Sequence, residues 1–259
     1  MEKAFESISL GGHKVIHFQV TDSTNTQLKQ LAKCGEGHGT VIIADEQTNG
    51  RGRMDRKWLS NRGQGAWFSC LVRPPEGTVE AYRASDLVFV SALSLALTLR
   101  THDVPALIKW PNDLTINGKK LSGIMCEMSS HNAFLEWAVV GVGVNLLGSQ
   151  FPPELPWAAS VESETGVRID SIRLLSEFLS CFDHWYNIWL SDGLQPILQQ
   201  IEPISATIGQ RVRAHLPSFE VEGSAVRFQD NGALIIETEE GDVEIAYGDV
   251  SVRGILGYT

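Results

Sequence analysis

The sequence predicts an α+β protein, a large domain built on a sheet followed by a small SH3-like β-barrel. Three observations predict it. Short β-branched apolar runs alternate with two long apolar helical segments through most of the chain. The dipeptide Asn117-Gly118 lies between two apolar runs, the strongest short hairpin signal present. Around Pro203 the character changes. From Ala206 onward short alternating segments are separated by turns at Pro217-Ser218, Asp230-Asn231-Gly232 and Glu240-Gly241-Asp242. The two units are therefore residues 1–203 and 204–259, the second about the size of an SH3-like barrel.

Taken in order, residues 13–18 read as a strand. The polar residues at 21–25 can cap the helix that Leu28, Leu31 and Ala32 suggest. Residues 40–44 form a β-branched strand leading into a basic loop, and 66–72 the strand leaving it, ended by Pro74-Pro75. Residues 86–100 are apolar nearly all round, with an acid first and a base last, which suits a buried helix matched to its dipole. A short strand at 106–110 is broken by Pro111, and the hairpin 114–116/121–128 follows. Residues 134–147 form a long apolar strand containing Gly141 and Gly143. Asp170 can cap a helix whose stripe runs from Ile172 through Phe178 and Trp185 to Trp189.

Composition narrows the function. The 259 residues are 43% hydrophobic and 20% charged, with a net charge of −10. That balance argues against a nucleic-acid-coating surface, which needs a broad basic face. Cys34, Cys70, Cys126 and Cys181 are far apart, without a C-x-x-C pair, and read as reduced, buried thiols of a cytoplasmic protein. The longest apolar run, 87–99, is too short to span a bilayer, and no signal peptide is evident. A soluble cytoplasmic protein without nucleic-acid or membrane partners is expected.

The charge that matters is local. Within Asn49-Gly50-Arg51-Gly52-Arg53-Met54-Asp55-Arg56-Lys57-Trp58, four basic side chains fall within seven residues. Gly50 and Gly52 permit close backbone approach and φ > 0, and arginine's fork matches phosphate or carboxylate. The segment reads as a loop closing over a small anion, the bland alternative being a solvated basic turn. Lys109-Trp110-Pro111-Asn112-Asp113 is the second candidate. A lysine ending an apolar strand belongs at a sheet edge or pocket mouth, where it can neutralise charge during a displacement, or it simply snorkels. Ser23-Thr24-Asn25 is either a helix cap or a cluster that hydrogen-bonds a polar ligand head. Gly141-x-Gly143-x-Asn145 lacks a dinucleotide fingerprint's third glycine and instead marks close approach to the strand. No Walker phosphate loop or nucleophile elbow occurs, and His13 with His17 is a poor metal pair on a strand.

In this order the motifs closely resemble the biotin–protein ligase (biotin–[acetyl-CoA-carboxylase] ligase) family. The resemblance runs through residues 21–25, 44–49, the basic loop to Trp58, 109–113, 118–123 and 141–145, and more weakly 248–253. It implies a mixed-sheet catalytic domain of the biotin/lipoate ligase type. The implied chemistry joins biotin to ATP, giving biotinyl-5′-AMP, then passes biotin to a lysine on the carrier domain of a biotin-dependent carboxylase. Two anions must meet, so positive charge has to be concentrated there. By resemblance, Lys109, Arg51 and Arg53 carry catalysis together with Mg²⁺, whose ligands the sequence does not assign. Ser23, Thr24, Asn25 and Gln47 bind biotin's polar head, Gly123, Gly141 and Gly143 line the ring, and Arg51, Gly52 and Arg53 close over carboxylate and phosphate. Arg53, Trp58, Asn112 and Asn145 contact the nucleotide.

The family often has glycine where Asp55 stands, and Asp55 could tether the loop's arginines. About twenty residues precede Ser23, too few for the winged helix-turn-helix of bifunctional members, so a monofunctional form is expected. Related ligases occur as monomers and as dimers, which leaves a homodimer open. The nearest rival is a lipoate- or octanoate-attaching ligase, and a separate one is a binder without turnover.

Overall fold

The computed structural model describes residues 3–54, 56–148, 151–216, 219–246 and 251–254. Eight strands form the main sheet: β1 (Lys3–Leu10), β2 (His13–Thr21), β3 (Val41–Gln47), β4 (Gly65–Val72), β5 (Leu107–Lys109), β6 (Asp113–Ile116), β7 (Lys119–His131) and β8 (Phe134–Asn145). Their spatial order is β1-β2-β3-β4-β8-β7-β6-β5. The pair β2/β3 is parallel and joined through helix α1 (Thr24–Lys33), whereas the other neighbours are antiparallel. A mixed sheet results, as expected. Strand β1 was not anticipated. It folds back on β2 through Gly11-Gly12, both with positive φ.

Alternation assigns each strand's two faces. On β4, Ala66, Phe68, Cys70 and Val72 join the larger core, while Leu71 faces the other way. On β8, Ala138, Val140, Val142 and Val144 join the larger core, while Trp137 and Val139 face α1. Helices α2 (Asp86–Arg100) and α4 (Ser171–Asp192) cover the larger core, with α3 (Val161–Thr165) and α5 (Gln195–Ile201) as short supports. Helix α2 is buried almost all round, with Asp86 in its first turn and Arg100 in its last, as its sequence predicts. The stretch Ala81–Arg100 is long and apolar enough to cross a membrane, a length the sequence reading understated, but 78% of it is buried inside the protein. It is a core helix. Asp170 caps α4 by accepting from the Arg173 amide at 2.9 Å. Asn117 and Gly118 both have positive φ, as a two-residue hairpin turn requires.

The C-terminal sheet comprises β9 (Arg211–His215), β10 (Glu220–Phe228), β11 (Leu234–Thr238), β12 (Gly241–Ile245) and β13 (Ser251–Gly254), in the order β12-β11-β10-β9-β13. It is antiparallel throughout, consistent with the expected SH3-like fold. The turn expected at Pro217-Ser218 lies outside the described residues, as do Gly248, Asp249 and Val250. This sheet packs on the β5 edge of the larger one. The Ala206 amide donates to Ile108 O (2.8 Å), the Trp110 amide to Thr207 Oγ1 (3.0 Å), and Trp110 Nε1 to Gly232 O (2.9 Å). All four cysteines are free thiols, but of the four expected to be buried only Cys70 is; Cys126 and Cys181 are half-buried, and Cys34 is exposed because it follows the last buried turn of α1. Burial raises the Cys126 thiol to about 12.

Candidate active site

The α1 face of the sheet carries the site, and strand register explains why. Gly141 on β8 pairs with Ser69 on β4 and Met125 on β7, and Gly143 pairs with Trp67 and Gly123. Gly123, Gly141 and Gly143 thus leave a gap in this face of the sheet, between Trp67 and Met125. Above it opens a cavity of about 660 Å³. Every residue assigned to the site from sequence lines it, namely Ser23, Thr24, Asn25, Gln47, Arg51, Gly52, Arg53, Trp58, Lys109, Asn112, Gly123, Gly141, Gly143 and Asn145.

One end is a buried polar cluster at the start of α1. Ser23 lines the cavity and makes no side-chain cap bond to its helix. Gln47 Oε1 accepts from the Thr24 amide (2.8 Å) and hydroxyl (3.1 Å), while Gln47 Nε2 donates to Ser60 Oγ (2.7 Å). Ser69 Oγ lies 2.7 Å from Thr24 Oγ1 and 2.6 Å from Asn25 Oδ1. Asn25 Nδ2 donates to Glu127 Oε2 at 3.0 Å. A Cβ on Gly141 would overlap the Asn25 amide, so what approaches this strand is a side chain of α1.

The other end is cationic. Among the described residues, six basic side chains line the cavity against two acids, Asp113 and Glu154, in a chain whose net charge is −10. The basic loop is an irregular hairpin between β3 and β4: Trp58 N donates to Gly50 O (3.0 Å), Gly52 N to Arg56 O (2.7 Å), and Arg51 bridges Lys57. Neither Gly50 nor Gly52 uses the positive φ open to it, and among the described residues of the loop Met54 is left-handed, at φ 55°. Gly50 is needed instead for closeness, because a Cβ there would strike Trp58 O. Arg53 Nη1 donates to Asn112 Oδ1 (2.7 Å), and Asn112 Nδ2 to Ile124 O (2.9 Å). Arg51 Nη1 lies 3.5 Å from Glu127 Oε1. Asp55, expected to tether the arginines, lies outside the described residues.

Trp58 fills the glycine patch: a Cβ on Gly143 would overlap its indole, and one on Gly123 would press on it at 3.0 Å. Trp58 meets Trp67 edge-on at 6.3 Å, and its buried Nε1 has no hydrogen-bond partner among the described residues. A buried donor of that kind awaits an acceptor. Asn145 Nδ2 donates to Ala159 O (3.0 Å), tying β8 to the segment that closes one side of the cavity. Lys109 ends the edge strand β5 and is 5% exposed, with Nζ donating to Val252 O on β13 (2.8 Å).

The profile of the biotin/lipoate A/B protein ligase family matches residues 17–145, and that of the biotin protein ligase C-terminal domain matches 207–253. A biotin–[acetyl-CoA-carboxylase] ligase of Paracoccus denitrificans is 34% identical, covering 90% of this chain and 98% of that one. The bifunctional ligase/repressor BirA of Bacillus spizizenii is 33% identical over 93% of this chain and 74% of its own. The chain belongs to the biotin protein ligase family. Among solved structures, biotin protein ligase from Aquifex aeolicus in complex with biotin and ATP superposes with a TM-score of 0.81 at 30% identity, covering 93% of this chain and 98% of that one.

Four residues of this ligase's cavity region escaped the sequence reading: Ser69, Glu127, Lys29 and Lys120. Ser69 and Glu127 sit in apolar strands and gain meaning only through register. Lys29 Nζ reaches Glu127 Oε1 at 2.6 Å from the next turn of α1. Lys120 is turned into the cavity by a register shift between β6 and β7, where Ser122 pairs with Leu114 but Lys120 with Thr115. Its Nζ lies 2.7 Å from Asp113 Oδ1 and 5.4 Å from the Trp58 ring centroid.

Proposed function

We propose that the protein activates biotin with ATP to biotinyl-5′-AMP and passes the biotinyl group to a lysine on the carrier domain of a biotin-dependent carboxylase. The observation that carries this reading is one cavity with a rigid, uncharged polar end and a strongly cationic end. A neutral ureido head suits the first. The second suits the meeting of a carboxylate with an α-phosphate. In the first step a biotin carboxylate oxygen attacks the α-phosphorus, and the bond to pyrophosphate breaks. In the second, the carrier lysine's amine attacks the acyl carbon, and AMP leaves with the bonding electrons.

Ser23, Thr24 and Asn25 hold the head, and Gln47 fixes Thr24. Arg51, Gly52 and Arg53 cover the carboxylate and phosphate. Lys109 and Lys120 bring two ammonium groups to the cavity, where they can neutralise developing charge. Trp58 offers its indole N–H and ring to the nucleotide side, with Asn112 and Asn145 bracing it. Mg²⁺ accompanies ATP as the phosphates' counterion. No group of three or more His, Cys, Asp or Glu that could cage a metal occurs among the described residues; phosphate and water would supply most of the ligands of such an ion. Residues 1–203 act as the catalytic unit, and 204–259 as a module that seats Lys109 through Val252. A cytoplasmic location, and partners limited to biotin, ATP and the carrier, complete the reading.

Ligand-dependent ATP–pyrophosphate exchange tests it. Stimulation by biotin is the expected result. Stimulation by lipoate or octanoate alone would reassign the substrate, and no stimulation would leave a binder. Lys109→Ala should lose most of the exchange while the fold persists, and full retention would remove Lys109 from its role.

A further inference from the structure

Glu127 is the carboxylate on which both ends of the cavity depend, although it does not itself line it. It stands on β7 one pleat beyond Met125, opposite Val139. Three groups from two other segments converge on it: Asn25 Nδ2 at 3.0 Å and Lys29 Nζ at 2.6 Å from α1, and Arg51 Nη1 at 3.5 Å from the basic loop. Its side chain is 21% exposed. Burial would raise its pKa, but the hydrogen bonds from Lys29 and Asn25 and the charges of Lys29 and Arg51 hold it below the ordinary carboxylate range. It is therefore an anion at neutral pH and can only accept hydrogen bonds.

Two consequences follow for the cavity. An accepting carboxylate fixes the Asn25 amide with Nδ2 toward β7 and Oδ1 toward Ser69, because the flipped amide would set oxygen against oxygen. The same carboxylate draws Arg51, and with it the base of the loop, onto the wall formed by α1 and β7. We propose that Glu127 is a positioning residue that couples the two ends. It orients the amide that reads the ligand's head, and it tethers the loop that retains the acyl-adenylate. The proposal rests on the ligase reading above for the identity of what is retained, and on the geometry alone for the tether.

Substitutions separate the two duties. Gln at 127 can still accept from Asn25 but loses the charge that holds Arg51 and Lys29, whereas Ala loses both duties. In the purified full chain, Glu127→Gln should leave the biotin dissociation constant within about twofold and speed biotinyl-5′-AMP release by about tenfold, within the usual range of coupling between sites. Glu127→Ala should weaken biotin binding by about tenfold as well. Lys29→Met keeps the carboxylate's hold on Arg51 and should leave release at the parent rate. In an Arg51→Gln background, adding Glu127→Gln should speed release no further, because the tether is already gone. Amide hydrogen exchange of the ligand-free protein supplies a readout independent of the reaction: protection at Gly52 and Trp58, whose amides close the loop hairpin, should fall in Glu127→Gln at unchanged melting temperature. Parent-like exchange at those amides would overturn the tether even if no biotinyl-5′-AMP forms. Parent-like release from Glu127→Gln, or equal acceleration by Lys29→Met, would overturn it if the adenylate does form.

Discussion

The two ends of the cavity are built in opposite ways. At the head end, Ser23, Thr24 and Asn25 are 2–5% exposed, and the Thr24, Asn25 and Gln47 side chains are locked by bonds to β3, β4, β7 and the segment beyond the loop. At the loop end, Met54 and Leu59 are 48% and 42% exposed, and Arg51 and Arg53 reach the side chains of Glu127 and Asn112. A preorganised end discriminates because its polar groups cannot rearrange for a poorer ligand. A lightly held end can admit a ligand and then keep it. One site thus divides recognition from retention along its length.

The sharpest way to break this comparison is Gly141→Ala, because the new Cβ would overlap the Asn25 amide, which has no room to yield. Biotin-stimulated exchange should fall by about 100-fold or more, with the melting temperature lowered by the overpacking, and a loss of exchange under about fivefold would show that the head end is not rigid. Lys120→Ala comes next. Exchange should drop by about 100-fold through kcat, with biotin affinity changing far less. An effect confined to KM would move Lys120 from chemistry to binding. Asn112→Ala should act on retention alone, releasing adenylate about threefold to tenfold faster by removing a hydrogen bond that holds Arg53, and titration calorimetry with biotin should show little change.

The smallest effect expected lies outside both ends. His13 donates toward Asp183 (2.9 Å) and Gly39 O (2.9 Å), so both ring nitrogens face acceptors. The Asp183 hydrogen bond, partly opposed by burial, raises its pKa above the model-peptide 6.5. The folded value exceeds the unfolded one, so this stabilisation is complete below about pH 6.5 and fades as pH rises through the folded value. The melting temperature of the parent minus that of His13→Gln should shrink accordingly. A difference that grows with pH would show that the ring is neutral in the fold.

Much of this architecture was legible in the sequence. Helix α2, the Asn117-Gly118 hairpin and the Asp170 cap each follow from local rules, because the residues that decide them are neighbours in the chain. The predicted site residues converge on one cavity for a related reason: Gly141 and Gly143 alternate onto a single face. What stayed hidden depends on register. Nothing near Ser69 or Glu127 says which strand will lie beside it, and the shift that turns Lys120 inward is invisible until β6 and β7 are paired. In the basic loop the close approach that Gly50 permits is to Trp58 O, a partner that only the folded hairpin reveals.

The bond from Lys109 to Val252 O ties the site to the order of synthesis. Strands β2 through β8, with the head cluster and the basic loop, leave the ribosome well before β13. Until Val252 follows, the buried ammonium of Lys109 lacks this seat. A nascent chain can shape the pocket before it completes the surroundings of this lysine.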